Sequence, residues 1–152
     1  MNELDWHCNA FQQLSNSLLY DIIKLRIDTF VVEQQCPYPE LDNKDENIGS
    51  RHITAHMHSK LIAYARILPP GLSYPEVSIG RFIVEPSFRR QGIGSELITK
   101  CLEEIINLWP DQPIKISAQE HIKKFYENFG FTQISDNYLE DGIPHVAMLK
   151  ES

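Results

Sequence analysis

A glycine loop with the sequence FRRQGIGSEL, residues 88–97, combines residue types that bind anions. Two adjacent arginines, Arg89 and Arg90, precede two glycines, and an apolar helical pattern begins directly after them. A strand that leads into such a loop and then into a helix presents several backbone N–H groups without partners, at the positive end of the helix dipole. We therefore expect this loop to bind phosphate groups.

Two common phosphate-binding motifs do not fit the loop. A P-loop needs lysine and then serine or threonine directly after its last glycine, where this chain has serine and glutamate. The dinucleotide-binding fingerprint needs a third glycine at the position of Leu97. The remaining pattern is Arg-x-x-Gly-x-Gly, formed by Arg89, Gly92 and Gly94. The alternative interpretation is that these glycines only cap a packed helix and that the arginines are solvated.

The charge of the chain restricts its partners. A net charge of -7 over 152 residues argues against nucleic-acid binding, which needs a basic stripe along the phosphates. The acidic loop 40–46 is predicted to form a lip that favours a cationic substrate. No apolar run approaches the length of a membrane span, the start lacks a secretory pattern, and three cysteines suggest no disulfide framework, so we expect a cytoplasmic protein without membrane partners.

Hydrophobic periodicity predicts the elements that position the loop. Apolar residues recur at helical spacing over 17–31 and 92–109, and a third helix is predicted at 120–130. The length favours a single domain. The element order predicts a mixed sheet with helices on its faces. Strands are predicted at 3–8, 51–59, 61–68, 76–86, 113–119, 131–135 and 144–149.

The loop and its surroundings resemble the GNAT superfamily of N-acetyltransferases, whose acetyl-CoA loop reads Gln or Arg, x, x, Gly, x, Gly or Ala. AQEHIKKFYENFGF resembles the later strand and helix of that superfamily. The chain is closer still to the ElaA-like subgroup, through RIDTFVVEQQCPYPELDNKD, IGRFIVEPSFRRQGIG and YLEDGIPHVAM. The resemblance implies an α/β (α+β) GNAT acyl-CoA N-acyltransferase fold, with a mixed, mostly antiparallel sheet of about six to seven strands, and one N-acetyltransferase domain over 1–152.

The resemblance also implies how acetyl-CoA, the acyl donor, would bind. Backbone N–H groups of the loop would bind the pyrophosphate beside the two arginines. The strand before the loop would splay from its neighbour and bind the pantetheine arm. Gln119 stands where many members of the superfamily have asparagine, which weakens that one assignment. The expected cofactor-binding residues are Phe82, Ile83, Val84, Arg89, Arg90, Gln91, Gly92, Ile93, Gly94, Ser95 and Gln119.

Acetyl transfer to an amine needs a proton acceptor and a proton donor. Deprotonating an alkylammonium at neutral pH costs about 4 kcal/mol. Tyr126 matches the tyrosine that many members of the superfamily use to protonate the leaving thiolate. Glu33 and His145 are the candidate bases, and a histidine has a suitable intrinsic pKa for this role. Direct attack with water as the proton acceptor stays open.

The sequence therefore predicts an acetyl-CoA-dependent N-acetyltransferase whose amine acceptor, a small molecule or a peptide, is unknown. Another acyl-CoA transferase and a noncatalytic module that binds CoA or an anion are the alternatives. No metal is expected, because His52, His56 and His58 share a strand without a cysteine or carboxylate at a convincing spacing. The oligomeric state stays open, with a homodimer as one option.

Overall fold

A computed structural model describes residues 3–152 of the chain. Within this range two antiparallel four-stranded sheets pack with three α-helices. None of the described helices is long and apolar enough to cross a membrane. The elements are β1 (Asp5–Asn9), α1 (Asn16–Arg26), β2 (Arg51–Met57), β3 (Lys60–Leu68), β4 (Ser78–Val84), α2 (Ile93–Leu108), β5 (Ile114–Gln119), α3 (Lys123–Glu127), β6 (Thr132–Gln133), β7 (Tyr138–Glu140) and β8 (Ile143–Lys150).

The first predicted helix is two segments in the structure. Ser15 caps α1 by accepting a hydrogen bond from the backbone N–H of Leu18 at 3.1 Å, as serine commonly does at a helix start. The chain then continues as a π-helix over Ile27–Glu33. Such wide turns are rare and occur frequently at functional sites. Here the π-helix ends beside the cleft described below.

Among residues 3–152 the two sheets are hydrogen-bonded to each other only near the starts of β4 and β5. The first sheet has the order β1-β2-β3-β4, and the second has the order β5-β8-β6 with β7 also paired to β8. A parallel bridge joins Val77 to Ile114, with hydrogen bonds of 3.3 Å from Val77 N to Pro113 O and of 2.8 Å from Lys115 N to Val77 O. Beyond this bridge β4 and β5 are not paired in the described residues, so a cleft opens between them.

Helices cover opposite faces of the first sheet. The apolar stripe of α2 buries Leu97, Ile98 and Cys101 completely in the main core. A second apolar cluster lies under α1, where Ile22 packs with Tyr64. The predicted α/β fold of mostly antiparallel strands with flanking helices is therefore confirmed.

The structure corrects the sequence-based prediction in three places. No strand was predicted between residues 135 and 144, but β7 pairs with β8 through Tyr138–His145 and Glu140–Ile143, and the predicted turn at Asp141 and Gly142 joins the two into a short hairpin. The third helix is shorter than predicted, because a 3₁₀ turn at Glu120–Ile122 precedes α3. The described residues thus contain eight strands in two sheets rather than about six to seven strands in one. A strand of three residues is too short for alternation to reveal it.

Candidate functional site

A cleft of about 750 Å³ lies where β4 and β5 separate. This volume is within the range of small-molecule and cofactor sites. Its walls come from the π-helix, β4, β5, α3 and the β7–β8 hairpin. The predicted site residues that line it are Glu33, Phe82, Ile83, Val84, Arg89, Gln119, Tyr126 and His145.

The glycine loop lies beside the cleft, at the N-terminus of α2. Gly92 has φ of 81° and serves as the N-cap, a conformation that costs little only for glycine. The backbone N–H groups of residues 90–95 have no hydrogen-bond acceptor among the described residues. A Cβ atom on Gly94 would lie 3.8 Å from Phe125 and 4.0 Å from Phe82, and Phe82 lines the cleft. A row of free donors therefore borders one end of the cleft.

Arg89 and Glu33 connect this loop to the π-helix. The two guanidinium Nη atoms of Arg89 donate to the two carboxylate oxygens of Glu33 at 2.7 and 2.9 Å, and its Nε donates to Val84 O at 2.8 Å. The hydrogen bonds from Arg89 hold the pKa of Glu33 below its usual value. Glu33 is therefore a weaker proton acceptor here than an isolated glutamate would be.

Gln119 faces the π-helix from the end of β5. Its side-chain amide nitrogen donates to Gln34 Oε1 at 3.2 Å, and the amide of Gln34 donates back to Gln119 Oε1 at 3.4 Å. This reciprocal pair joins the second sheet to the end of the π-helix. The amide of Gln119 is thus held at the splayed end of the cleft.

Tyr126 places its ring in the core and lines the cleft. The ring centroids of Phe125, Phe131 and Phe82 lie 5.2, 5.9 and 6.0 Å from its own. Its hydroxyl makes no hydrogen bond within residues 3–152. Burial raises the pKa of Tyr126 above its ordinary value, so the hydroxyl keeps its proton at neutral pH and can donate it.

His145 lies in a polar group that sequence reasoning did not find. Its Nδ1 lies 2.7 Å from Ile143 O, its Nε2 lies 3.5 Å from a carboxylate oxygen of Glu140, and its ring stacks on Tyr138. Ser117 Oγ lies 2.6 Å from Tyr138 Oη and donates to Glu140 at 3.0 Å. Glu140 was missed because the acidic residues before Gly142 have the composition of a turn.

The acidic loop 40–46 is not the lip that the sequence suggested. Glu40 and Asp45 are only 5% and 8% exposed. Arg26, itself 1% exposed, donates to Glu40 and to Asp45 at 2.6 Å each. Arg81 is a second partner of Glu40 and Arg66 is a second partner of Asp45, so both carboxylates are paired and do not attract a cationic substrate. Sequence reasoning missed the pairing because Arg26 lies on a different element.

The ionic network continues to the far wall of the cleft. Arg66 binds both carboxylate oxygens of Asp42 at 2.8 Å, and Arg81 donates to Glu40 at 2.8 Å. The Tyr38 hydroxyl also donates to Glu40. Burial disfavours the ionised form of Asp42, but the hydrogen bonds and charge of Arg66 outweigh it and hold the pKa of this carboxyl well below its usual range. The carboxylates and arginines of this wall are consequently paired with one another, and these ion pairs fix their side chains in place.

Replacing Arg26 with methionine is expected to lower the free energy of unfolding by about 3–5 kcal/mol, because Glu40 and Asp45 each lose one arginine partner and the buried network keeps an uncompensated negative charge. Urea denaturation followed by tryptophan fluorescence measures this loss. Lys24→Met on the same helix is the control, since the Lys24–Asp28 pair is exposed and its loss should change stability little. Equal stability of the two variants would contradict a structural role for the network.

The strand histidines do not share one site. His52 is buried, with Nδ1 2.6 Å from Tyr64 Oη and Nε2 3.1 Å from Asp45 O. His56 has its ring 6.4 Å from that of His7. In the part of the chain that the structure describes, no group of three or more His, Cys, Asp or Glu side chains is arranged to hold a metal ion.

Comparisons with known proteins show one family and one fold. A model of the acetyltransferase (GNAT) domain matches residues 19–152. Protein ElaA of Escherichia coli strain K12 is 41% identical over 148 residues, which cover 97% of each chain. The crystal structure of Escherichia coli ElaA superposes with a TM-score of 0.93 at 40% identity, over 98% of this chain and 100% of that one. An acyl-CoA N-acyltransferase from Pseudomonas aeruginosa gives a TM-score of 0.93 at 38% identity, over 97% and 99%.

Proposed function

The chain belongs to the GNAT acetyltransferase family, and from that premise we propose that it transfers the acetyl group of acetyl-CoA directly to an amine. The family match over residues 19–152 and the similarity to ElaA confirm the resemblance and the GNAT fold predicted from the sequence. They also support the acyltransferase class. The choice of acetyl donor and amine acceptor is our proposal.

The observation that carries the proposal is the row of free backbone N–H groups at residues 90–95, next to a cleft that Tyr126 lines. The N–H groups suit a pyrophosphate, since several donors converge at a helix N-terminus. In the exposed first turn the helix dipole contributes only about 0.3–1 kcal/mol, so the hydrogen bonds contribute more. Arg90 adds positive charge beside them, whereas the charge of Arg89 is paired with Glu33.

The open edge of β4 suits the pantetheine arm. Phe82, Ile83 and Val84 line the cleft, and the edge of β4 that faces β5 is unpaired beyond Val77 in the described residues. Unpaired strand edges bind extended amide-containing ligands through main-chain hydrogen bonds, in the manner of an added strand. Gln119 offers a side-chain amide from the opposite wall.

Two more distant proteins with this fold have been crystallised with CoA ligands. They are an aminoglycoside 6'-N-acetyltransferase in complex with coenzyme A and the acyl-homoserine lactone synthase BjaI with isopentyl-CoA, with TM-scores of 0.71 and 0.80. Each is 15% identical to this chain, a level that shows a common fold alone. Their fold accommodates CoA ligands, and our proposal that this cleft binds CoA rests on the family match together with the loop and the open strand edge.

Chemistry at the cleft follows from two side chains. His145 Nε2, or water, takes a proton from the acceptor ammonium, and the freed nitrogen lone pair attacks the thioester carbonyl carbon. The carbon–sulfur bond then breaks, and Tyr126 donates its proton to the leaving thiolate. The second nitrogen proton is lost as the amide forms and restores the Tyr126 hydroxyl through solvent. The products are the amide, CoA as the free thiol and one released proton.

Incubation with acetyl-CoA and a panel of primary amines tests the function. We expect free thiol to appear together with an N-acetylated product detected by mass spectrometry. Longer acyl-CoA thioesters in parallel reactions test whether acetyl is the preferred group. CoA binding without thiol release from any amine would instead support a noncatalytic binding module, and absence of CoA binding would exclude both functions.

We further infer that the reaction takes place in the cytoplasm. Cys8, Cys36 and Cys101 are all free thiols in the structure. Free thiols of this kind are typical of proteins in reducing compartments. Detection of the protein in a cytoplasmic fraction checks this assignment.

A further inference from the structure

We propose that Glu140 and the Nε2 atom of His145 together bind the ammonium form of the acceptor amine and position it for proton loss to His145. This inference rests on the N-acetyltransferase function proposed above. It adds Glu140 as a specificity-determining residue and narrows the acceptor to amines that are protonated when they bind.

The first observation is the orientation of the His145 ring. A backbone carbonyl can only accept hydrogen bonds, so the 2.7 Å contact with Ile143 O places the proton on Nδ1. In the neutral ring Nε2 then carries a lone pair, and it lies 3.5 Å from a carboxylate oxygen of Glu140. Two hydrogen-bond acceptors, His145 Nε2 and Glu140 Oε2, thus lie close together. An ammonium group has three N–H donors and can bind to both.

The second observation is the support behind Glu140. Ser117 Oγ donates to Glu140 Oε1 at 3.0 Å, so its other bond, of 2.6 Å, is accepted from the Tyr138 hydroxyl. This chain of hydrogen bonds holds Oε1 and leaves Oε2, which lies 3.5 Å from His145 Nε2, without a hydrogen-bond donor among the described residues. Glu140 is therefore oriented before a substrate arrives.

The third observation concerns the other charges in the cleft. Of the other carboxylates that line it, Glu33 is bound by Arg89 and Asp42 is bound by Arg66, while Asp141 is exposed at the hairpin turn. Glu140 has no arginine or lysine partner within residues 3–152. The side chain of Glu140 is half-exposed, while that of His145 is only 8% exposed. A ligand ammonium group that binds here is therefore partly removed from water, and it is attracted by a carboxylate that has no other cation as a partner. Tyr126, the proposed proton donor to the leaving thiolate, lines the same cleft.

Glu140→Gln tests the site with the amine that gives the highest turnover in the panel. We expect KM for this amine to rise about tenfold, because a hydrogen bond to a charged group is lost. KM for acetyl-CoA should change less than about twofold. The inhibition constant of the N-acetylated product should also stay within about twofold, because the amide is neutral and does not need the carboxylate.

His145→Gln separates positioning from proton transfer. Glutamine keeps a polar side chain but cannot take up a proton, so kcat is expected to fall about 100-fold. The CoA affinity measured by calorimetry should match that of the unchanged protein. A kcat close to the original value would show that water alone accepts the proton and would overturn the role of His145.

Asp141→Asn is the matched control for Glu140→Gln. It makes the same charge change one residue away, and asparagine tolerates the left-handed backbone of this position, where φ is 50°. The proposal is overturned if Asp141→Asn and Glu140→Gln raise the amine KM equally, if the amine KM is unchanged in Glu140→Gln, or if product inhibition weakens to the same extent. If the unmodified protein acetylates no amine, the proposed function itself fails.

Discussion

Replacing Gly94 with glutamate is expected to weaken CoA binding at least about 100-fold, since two or more charge-assisted hydrogen bonds to the pyrophosphate are lost. The new carboxylate lies among the free N–H groups of residues 90–95 and repels a phosphate there. Isothermal titration calorimetry with CoA measures the effect, and circular dichroism checks that the protein is folded.

Gly94→Ala is the control for this experiment. A Cβ atom at Gly94 meets Phe125 and Phe82 only at ordinary contact distances of 3.8–4.0 Å, and alanine is also found at this position of the family motif. We expect the alanine variant to bind CoA with nearly unchanged affinity. Gly92 is a poorer site for the test, because its φ of 81° makes any side chain strained. Unchanged affinity in Gly94→Glu would show that the loop is not the pyrophosphate site.

Replacing Tyr126 with phenylalanine is expected to lower kcat about 100-fold, the lower range of effects measured for a general acid. CoA affinity should stay the same, because the hydroxyl makes no hydrogen bond within the described residues and the ring keeps its packing against Phe82, Phe125 and Phe131. Steady-state kinetics with acetyl-CoA and the best amine, together with calorimetry, separate the two quantities.

Phe125→Leu provides the comparison for Tyr126→Phe. Phe125 touches the same aromatic cluster without a polar atom, so this variant reports how much of any loss comes from altered packing. An equal fall of kcat in both variants, or a kcat in Tyr126→Phe close to the original value, would exclude the acid role. Since burial raises the pKa of Tyr126, its deprotonation should not limit the rate at moderately alkaline pH.

Two predictions from the sequence depended on where distant segments meet, and the structure changed them both. The acidic residues of 40–46 were expected at the surface, but Glu40 and Asp45 pair with Arg26 in the interior. Glu33 was a candidate base, but it forms a two-pronged ion pair with Arg89. The charge of a residue is known from the sequence itself. Its ion-pair partner, which lies 14 positions away for Arg26 and Glu40 and 56 positions away for Arg89 and Glu33, depends on how the helices and sheets pack.

The sequence by itself determined the features that depend on local pattern. The glycine loop, the amphipathic stripe of α2 and the alternating strands β2 and β3 are read from nearby residues, because backbone conformation and periodic burial act over a few positions. The resemblance to the family motifs adds the expectation that the loop and the strand before it bind CoA. Within these limits the α/β fold and the position of the loop followed from the residues alone.

Only the tertiary structure decided which polar groups face one another. β7 is too short to be recognised, yet it brings Glu140 to His145 and Ser117 across β8 and β5. The splay of β4 from β5 beyond Val77 likewise depends on strand pairing between residues far apart in sequence. Contacts of this kind form when whole helices and strands pack together, so they cannot be predicted from the spacing of residues along the chain.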